Sequence, residues 1–465
     1  MHLINLAEKQ NDKKPLKRSM TGLEIELHII DNEGNISYKS LNLINEIKKK
    51  YPNVAVVKEC GLNVIELCCY PHKDANNPAI EIITSLEKII EVAEKNKLKL
   101  YPFSTYPGKI ESRITPHPDG RYIIQEKILG AKNFCHATKV TGFHHHYALP
   151  KGVFDHKTKS LKILVNSKLK RSLLSSYNFA IAIDPIITLL TQSSPFFEGN
   201  MLAKNSRMIV YRGGKKLGYP GVYSNFQQVG ALLPYEQTGT DLMKRIKNRH
   251  QNWMNAVEKA GVNADIKKLC AYELDSSWNP VKINKHGTLE SRGMDMNYLS
   301  IILGVSVLIK SSLKKIQREF IEVLPSDIGI KQSFRLRNGI LYIPPHTHVR
   351  GILQKASAYE GFDNDELHKY TQQFFRFAKS NTPKIYAPLL KQIENMIEER
   401  KSISDKIVNF AKENNLMDSK NGISRENARI MALHYSEEFE KDLRRTKAIV
   451  EKIRKKHQKS LSAAG

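Results

Sequence analysis

The chain has 465 residues, of which 41% are hydrophobic and 26% are charged, and it carries a formal net charge of +26. This composition excludes wholesale disorder, a collagen-like repeat and an integral membrane protein, which needs apolar segments of about 20 residues. The positive charge favours an anionic partner, such as nucleic acid, a phosphate-bearing substrate or an acidic membrane surface, or it reflects a lysine-rich composition without a partner.

The N-terminal segment, residues 1–15, has no continuous apolar core and no small-residue cleavage site, so no secretion signal is predicted. The five cysteines include no C-x-x-C pair. Together these features predict a reducing, cytoplasmic location, with neither a disulfide framework nor a zinc ribbon.

The first 300 residues are predicted to mix strands and helices. Residues 22–30 alternate between polar and apolar side chains and end at a turn cluster, residues 31–35, which predicts a hairpin. Helical spacing of apolar residues predicts helices over residues 80–95, 172–191, 242–260 and 298–318.

From about residue 366 onward, nearly the whole chain has helical period. An apolar stripe runs from Met431 to Ile453, and Gly422 and Ser424 supply a break and an N-cap before it. We therefore predict two regions, a catalytic domain over residues 1–330 and a mostly helical region over residues 331–465 that is docked on the core.

Four of the predicted strands carry acids or histidines on one face. Because side chains alternate along a strand, residues 22–28 place Glu24 and Glu26 on one face and leucine or isoleucine on the other. The other three strands present Glu66, His144 with His146, and Glu290 with Arg292.

One such strand by itself is typical of a sheet face exposed to solvent. In combination, however, these strands bring several carboxylates together with hardly a lysine among them, and such carboxylates raise one another's pKa. Divalent cations relieve this repulsion, and oxygen ligands with few imidazoles favour Mg²⁺ or Mn²⁺ over Zn²⁺. The sequence therefore predicts an antiparallel sheet with a charged, metal-binding concave face.

Five segments, in this order, resemble the motifs of the type 2 glutamate–cysteine ligase family, also called carboxylate–amine ligases. They are GLEIEL from residue 22, NVIEL from 63, GFHHH from 142, SSPFFEG from 193 and GTLESRGMD from 287. The resemblance spans residues 22–295 and implies the α+β glutamine synthetase-like fold, a curved antiparallel sheet with flanking helices. The helical last third lies outside it.

The resemblance implies that ATP drives the joining of a carboxylate, most simply the γ-carboxylate of glutamate, to an amine, with cysteine as the default amine. It implies catalytic roles for Glu290 and Arg292, with Arg292 at the transferring phosphoryl group or, alternatively, only in an ion pair. It also implies that His146 faces the substrate. The implied ligands of Mg²⁺ or Mn²⁺ are Glu24, Glu26, Glu59, Glu66, His144 and Glu290.

The sequence has no Walker A motif, and no G-x-G-x-x-G opens a helix. Nucleotide binding is therefore predicted to depend on the metal ions and on scattered basic residues. Residues 207–221 are basic and glycine-rich, which predicts either a loop that closes over phosphates, with Arg207 and Arg212 binding ATP or substrate, or a plain surface loop. Ser193 and Ser194 are predicted to lie near substrate.

Two other functions stay open at this point. A guanidino-type phosphotransferase on a related fold would transfer phosphoryl groups without forming an amide. A basic nucleic-acid-binding protein would account for the charge, but no recognised nucleic-acid motif occurs, so nucleic acid is the less favoured partner. The expected partners are a small-molecule carboxylate and an amine, without membrane association, and self-association stays open.

Overall fold

The structure is a computed structural model that describes residues 19–118, 120–162, 167–261 and 270–462. The N-terminal segment in which no secretion signal is predicted lies outside these residues, as do residues 1–18 of the predicted catalytic domain.

Short and long strands alternate with helices through the first three quarters of the chain. The strands are β1 (Thr21–Asp31), β2 (Val56–Lys58), β3 (Val64–Cys68), β4 (Leu98–Tyr101), β5 (Gly142–Ala148), β6 (Phe154–Asp155), β7 (Ser160–Leu161), β8 (Phe196–Phe197), β9 (Asn200–Met201), β10 (Val281–Asn284), β11 (Thr288–Asp295), β12 (Glu322–Pro325), β13 (Leu336–Arg337) and β14 (Ile340–Ile343).

The α-helices become dense toward the C-terminus. They are α1 (Ser40–Lys50), α2 (Asn76–Lys95), α3 (Arg121–Leu129), α4 (Ala131–Phe134), α5 (Lys168–Leu190), α6 (Ser206–Arg212), α7 (Gln227–Gly230), α8 (Gly239–Lys259), α9 (Leu299–Glu319), α10 (Ile328–Lys331), α11 (His346–His348), α12 (Gln354–Tyr359), α13 (Asp365–Ser380), α14 (Ala387–Glu399), α15 (Ile403–Glu413) and α16 (Arg425–Ser462). Short 3₁₀ or π turns lie at Cys135–Thr138, Val349–Leu353, Gly361–Asp363 and Lys384–Tyr386.

The main sheet has seven strands in the order β10–β11–β5–β1–β3–β2, with β4 paired to the second half of β1. Its ladders are antiparallel, which confirms the predicted sheet type. The long strand β1 is central because it pairs with β3 on one edge and with β5 on the other. Residues from four different strands are thereby carried to the same face.

The other face of the sheet is apolar and packs against helices. Leu23, Ile25 and Leu27 of β1 are buried there in the main hydrophobic core. Helix α5 packs against β11, and α9 packs against β5. The period-two alternation of β1 therefore separates an apolar face from a charged face, as its sequence predicts.

The predicted hairpin after β1 forms, but its returning arm is short, with backbone hydrogen bonds from Asp31 to Asn35 and from Ser37 to Ile29, both at 2.8 Å. The turn forms, and the Asp31 carboxylate accepts hydrogen bonds from the backbone N–H groups of Glu33 and Asn35, both at 2.9 Å. The returning chain, however, makes only a single bridge, between Ile30 and Ile36, before α1 begins. Helix α1 forms instead because its apolar residues recur at helical spacing and are buried.

Among the helices that the structure describes, α5 alone has the length and hydropathy to cross a membrane. Of its most apolar 18-residue segment, 94% is buried inside the fold. It packs against β11, α9 and α13. Burial among these elements accounts for its apolar composition on all sides.

The C-terminal helix α16 packs along the body of the fold. The Ser424 hydroxyl accepts the N–H of Asn427 at 3.1 Å and caps its first turn, as predicted. The helix contacts α2, β4 and α9. Its buried stripe comprises Met431, Tyr435, Phe439, Leu443, Val450 and Ile453.

One hydrophobic core continues across residue 330. Strand β12 pairs in parallel with β14, so a ladder joins the segments on either side of that position. Residues of α5, α9, α13 and α16 belong to the same core cluster. A division of the chain at residue 330 stays a prediction.

Candidate active site

The charged face of the main sheet forms the floor of a cavity of about 1060 Å³. Strand register determines which side chains meet on this floor, since directly opposed residues in antiparallel strands point to the same side. The cross-strand pairs are Glu24 with His144, Glu26 with Glu66, and His146 with Glu290.

The two histidines of β5 interleave with the acids of β1. The Nδ1 atom of His144 lies 2.9 Å from Glu24 Oε2, and its Nε2 lies 3.4 Å from Glu26 Oε1. The Nε2 atom of His146 lies 3.2 Å from Glu24 Oε1, and its Nδ1 lies 3.0 Å from the Thr288 hydroxyl. The imidazoles and carboxylates therefore converge on one small volume.

Three groups of side chains on this floor have ligand atoms within 4.8 Å of one another. The groups are Glu24–Glu66–His144, Glu24–His146–Glu290 and Glu26–Glu59–Glu66. Shared members join them into one cluster. The structure thus brings together all six side chains predicted as metal ligands, and it adds His146, which was predicted to face substrate.

The cluster has the donor chemistry of a divalent-cation site. It consists mainly of buried or half-buried carboxylates. Among the described residues, the Nε2 atoms of His144 and His146 have no hydrogen-bond partner of good geometry. Oxygen donors with a minority of imidazoles suit Mg²⁺ or Mn²⁺. The residues present therefore fit such ions.

Burial and mutual repulsion raise the pKa of three carboxyl groups in the cluster. Burial, with the neighbouring charge of Glu59, raises the pKa of Glu26 to about 8. Burial, with the charges of Glu24 and Glu59, raises the pKa of Glu66 well above its ordinary value. Burial also raises the pKa of Glu59. A bound cation favours the charged form and so would reverse these shifts.

Two other carboxyl groups are held in the charged form by neighbouring bases. Burial acts to raise the pKa of Glu24, but the adjacent His146 holds it well below its ordinary value. Burial likewise opposes ionisation of Glu290, and Lys282, His146 and Arg292 more than compensate, so the pKa of Glu290 is strongly lowered. The floor is therefore acidic at one end and charge-balanced at the other.

Two guanidinium groups border the acidic cluster. Arg292 on β11 donates from Nη1 to Glu290 Oε1 at 3.2 Å, and the Nη2 of Arg207 donates to the Arg292 carbonyl oxygen at 3.4 Å. Within the described part of the chain, the Nε atoms of both arginines are buried without a hydrogen-bond partner. A buried guanidinium and a half-buried one, each with an unused donor, form a site for an anion.

Arg212, predicted to bind ATP or substrate, lies in the core instead. Its Nη1 and Nη2 donate to the two carboxylate oxygens of Asp184 at 2.6 and 2.9 Å, and Nη1 also donates to Gln354 at 2.9 Å. Residues 206–212 are helix α6, so the predicted loop starts only at residue 213. Five positions on a helix correspond to a rotation of about 140°, which places Arg207 at the cavity and Arg212 away from it.

Ser193 and Ser194, predicted to lie near substrate, are also core residues. Both are fully buried, and the described residues that line the cavity do not include them. The Ser193 hydroxyl donates to the Met296 carbonyl oxygen, and the Ser194 hydroxyl donates to Asp295 Oδ2, both at 2.6 Å. These bonds fasten the segment after α5 to the end of β11, so the motif has a structural role.

Part of the cavity wall consists of aromatic residues that no sequence motif indicates. Tyr223, Trp253 and Trp278 line this wall from a loop, from α8 and from the segment before β10. Lys282 on β10 was not predicted either; it lies opposite Glu290, with Nζ 3.4 Å from Glu290 Oε2. Alternation along β10 could have identified Lys282, but no local pattern connects the aromatic residues.

Comparisons with known proteins agree with this geometry. The family model of glutamate–cysteine ligase family 2 matches residues 20–299, which confirms the resemblance seen in the motifs. A search of curated protein sequences finds no match.

The solved structures that share the fold include two ligases. A glutamate–cysteine ligase from Francisella tularensis in complex with AMP is 13% identical, with a TM-score of 0.56, over 96% of this chain and 93% of that one. A bifunctional glutathione synthetase from Pasteurella multocida is 10% identical, with a TM-score of 0.53, over 90% of this chain and 51% of that one. These similarities confirm the predicted fold class.

Proposed function

Because the chain belongs to glutamate–cysteine ligase family 2, we propose that it is an ATP- and Mg²⁺-dependent carboxylate–amine ligase. The observation that carries this proposal is the juxtaposition, in one cavity, of a carboxylate-rich cluster and two guanidiniums with unused donors. Phosphoryl transfer depends chiefly on alignment and on neutralising the phosphate oxygens, and this arrangement supplies both.

The reaction must first activate a carboxylate, because an oxide is a poor leaving group. A carboxylate oxygen attacks the γ-phosphorus of ATP, the bond to the bridging oxygen breaks, and ADP leaves. The amine nitrogen then forms a bond to the carbonyl carbon of the acyl phosphate. The bond from that carbon to the phosphate oxygen breaks, phosphate leaves with the electron pair, and the amine releases one proton.

Divalent cations, when bound, would neutralise and align the phosphate oxygens. Glu24, His146 and Glu290 are placed to hold one of them, and Glu26, Glu59 and Glu66 to hold another. His144 contacts both acids of β1 and so fixes their orientation for the two groups.

Arg292 lines the cavity, and its ion pair with Glu290 holds the guanidinium and its N–H donors in one orientation. Such preorganised donors stabilise negative charge that develops during phosphoryl transfer. Arg207 lies beside it and supplies a second guanidinium for a carboxylate or phosphate group. The ion pair and the catalytic role predicted for Arg292 are therefore compatible.

Family membership makes glutamate the first acyl donor to test and cysteine the first amine. The experiment incubates the protein with ATP, Mg²⁺, glutamate and a panel of amines, and follows phosphate release together with new amides by mass spectrometry. We expect one phosphate per amide. Phosphorylated product without any amide would contradict a ligase and would favour a phosphotransferase.

A matched pair of variants assigns the activity to the cluster. Glu66→Gln removes a charge from two of the three ligand groups and is expected to abolish turnover. Glu87→Gln changes a half-exposed carboxylate on α2 that pairs with Lys447 outside the cavity, and it should leave turnover unchanged. Equal activity of the two variants would contradict the proposed site.

A further inference from the structure

Gly142 is the first residue of β5 and lies at the end of the charged face of the main sheet. Because side chains alternate along a strand, a side chain at position 142 would stand on the same face as those of His144 and His146. The strand is held here on both sides, since β5 pairs with β1 and with β11. Its backbone therefore has little freedom to move.

The guanidinium of Arg207 fills the space that a side chain at position 142 would occupy. A Cβ atom built on Gly142 would lie 2.2 Å from Nη2, 2.7 Å from Cζ and 3.2 Å from Nε of Arg207. These distances are shorter than the roughly 3.5–4.0 Å at which nonbonded carbon atoms attract one another. Arg207 can therefore keep its position only if residue 142 has no side chain.

The backbone conformation of Gly142 does not itself require glycine. Its φ angle is not positive, so alanine can adopt the same conformation without strain. Arg207 is the long side chain of α6 that lines the cavity, whereas the strand is fixed by its two ladders. A Cβ atom at position 142 would thus displace the guanidinium and leave the strand in place.

Gly142 also contacts the acidic cluster through its backbone. Its N–H donates to Glu26 Oε2 at 2.6 Å. The displaced group would be the one whose Nη2 donates to the Arg292 carbonyl oxygen at 3.4 Å, in the bulge where the β5–β11 ladder shifts register. Gly142 therefore lies between a predicted metal ligand and the two guanidiniums of the site.

We propose that Gly142 is a positioning residue of the ligase, which by its lack of a side chain holds the Arg207 guanidinium beside Arg292. The proposal rests on the proposed ligase function and adds a residue on which the reaction depends through Arg207. Gly142→Ala tests it directly, because alanine keeps the N–H group that binds Glu26 and adds only the colliding Cβ atom.

The first test measures kcat/KM with ATP, Mg²⁺, glutamate and the acceptor that gives most amide in the panel. Gly142→Ala is expected to lower kcat/KM on the order of 10²-fold, since a shift of about 1 Å in a group that orients substrate has an effect of this size. Gly351→Ala is the matched control, because its Cβ would meet open space and Gly351 is not among the described residues that line the cavity.

Two failures of this test are distinguishable. Wild-type kcat/KM in Gly142→Ala would overturn the role of Gly142 and leave the ligase function standing. Absence of any amide with the wild-type protein would overturn the ligase function and, with it, this role of Gly142.

The second test asks whether the effect passes through Arg207. In the Arg207→Ala background, Gly142→Ala is expected to change kcat/KM by less than about twofold, because the group that it displaces is absent and a double-mutant cycle reports such coupling. The two single variants should also change the same constants, whether kcat or KM for one substrate. An equal loss in both backgrounds would show that the two residues act independently and would overturn the proposal.

The third test applies even if Gly142→Ala folds poorly. Tm is measured by circular dichroism for the wild type, the two single variants and the double variant. Any fall in Tm that the collision causes should vanish when residue 207 is alanine, so the double variant should match Arg207→Ala. A fall in Tm caused by Gly142→Ala in both backgrounds would show that β5 itself requires the glycine, and it would overturn the proposal.

Discussion

Arg292 combines a fixed ion pair with donors that other described groups leave unused. One N–H group binds Glu290, and its Nε is buried without a partner among the described residues. A lysine in its place keeps the charge and loses the planar fork. Replacing Arg292 with lysine therefore tests whether its planar set of donors stabilises the transition state, while the positive charge is kept.

Arg292→Lys is expected to lower kcat on the order of 10²-fold or more while KM for ATP changes little, because the lost donors act mainly on charge that develops during transfer. Steady-state kinetics with ATP and glutamate measure both constants. Arg113→Lys, at an exposed arginine, is the control and should match the wild type. Unchanged turnover in Arg292→Lys would show that the arginine is structural.

Glu26 couples stability to pH in the metal-free protein. Its pKa is raised from an ordinary 4.5 to about 8 on folding, so between these pH values the folded protein holds the proton that the unfolded chain has released. Stability then falls as pH rises through this window. In excess EDTA, Tm measured by calorimetry is expected to fall from pH 5 to pH 8, and Glu26→Gln should flatten the fall. An equal fall in the variant would contradict this assignment.

Helix α6 presents opposite roles on its two sides. Arg207 and Tyr211 lie one turn apart and line the cavity, while Arg212 pairs with Asp184 in the core. Asp184 is fully buried, so loss of its partner leaves an uncompensated charge. The ion pair of Arg212 in the core thus anchors the same short helix that holds Arg207 at the cavity.

Arg212→Ala is expected to cost about 3–5 kcal/mol of unfolding free energy, because it strands the Asp184 carboxylate in the interior. Urea denaturation followed by circular dichroism measures the change. If Arg212 bound ATP instead, the variant would raise KM for ATP without lowering stability, and that result would contradict its placement in the core.

Helix α16 covers the core with a long apolar stripe. Truncation before Ser424 exposes several side chains that contribute about 1.5–3 kcal/mol each when buried, against a typical net stability of roughly 5–15 kcal/mol. We expect a large fall in Tm, and a milder variant, Phe439→Ala, to lower stability by about 3–5 kcal/mol. Arg444→Ala on the exposed face is the control. An unchanged Tm after truncation would contradict docking and would favour a separate nucleic-acid arm.

At the scale of the whole molecule, a chain with a net charge of +26 concentrates acids on one internal face. The clustered carboxylates repel one another unless cations neutralise them, so we expect the enzyme to be active only when metal ions are bound. ATP-dependent turnover is expected to stop in excess EDTA and to return on addition of Mg²⁺ or Mn²⁺, as measured by phosphate release. Full turnover under chelation would contradict the metal site.

The sequence by itself determined the charged face and the kind of chemistry that it supports. In β1, the alternation of Glu24 and Glu26 with apolar residues specifies a two-sided strand, because side chains point alternately to opposite faces. The same period places His144 with His146, and Glu290 with Arg292. Composition then favours Mg²⁺, since carboxylates outnumber imidazoles.

Only the tertiary structure decided which side chains share a volume. The strand register places Glu26 opposite Glu66. The rotation along α6 places Arg207 at the cavity and Arg212 in the core. The cavity wall brings together Trp253 and Trp278 from segments without a common local pattern. Local periodicity gives each side chain a direction relative to its own backbone, whereas a site depends on distances between elements, and those are set by long-range packing of the whole core.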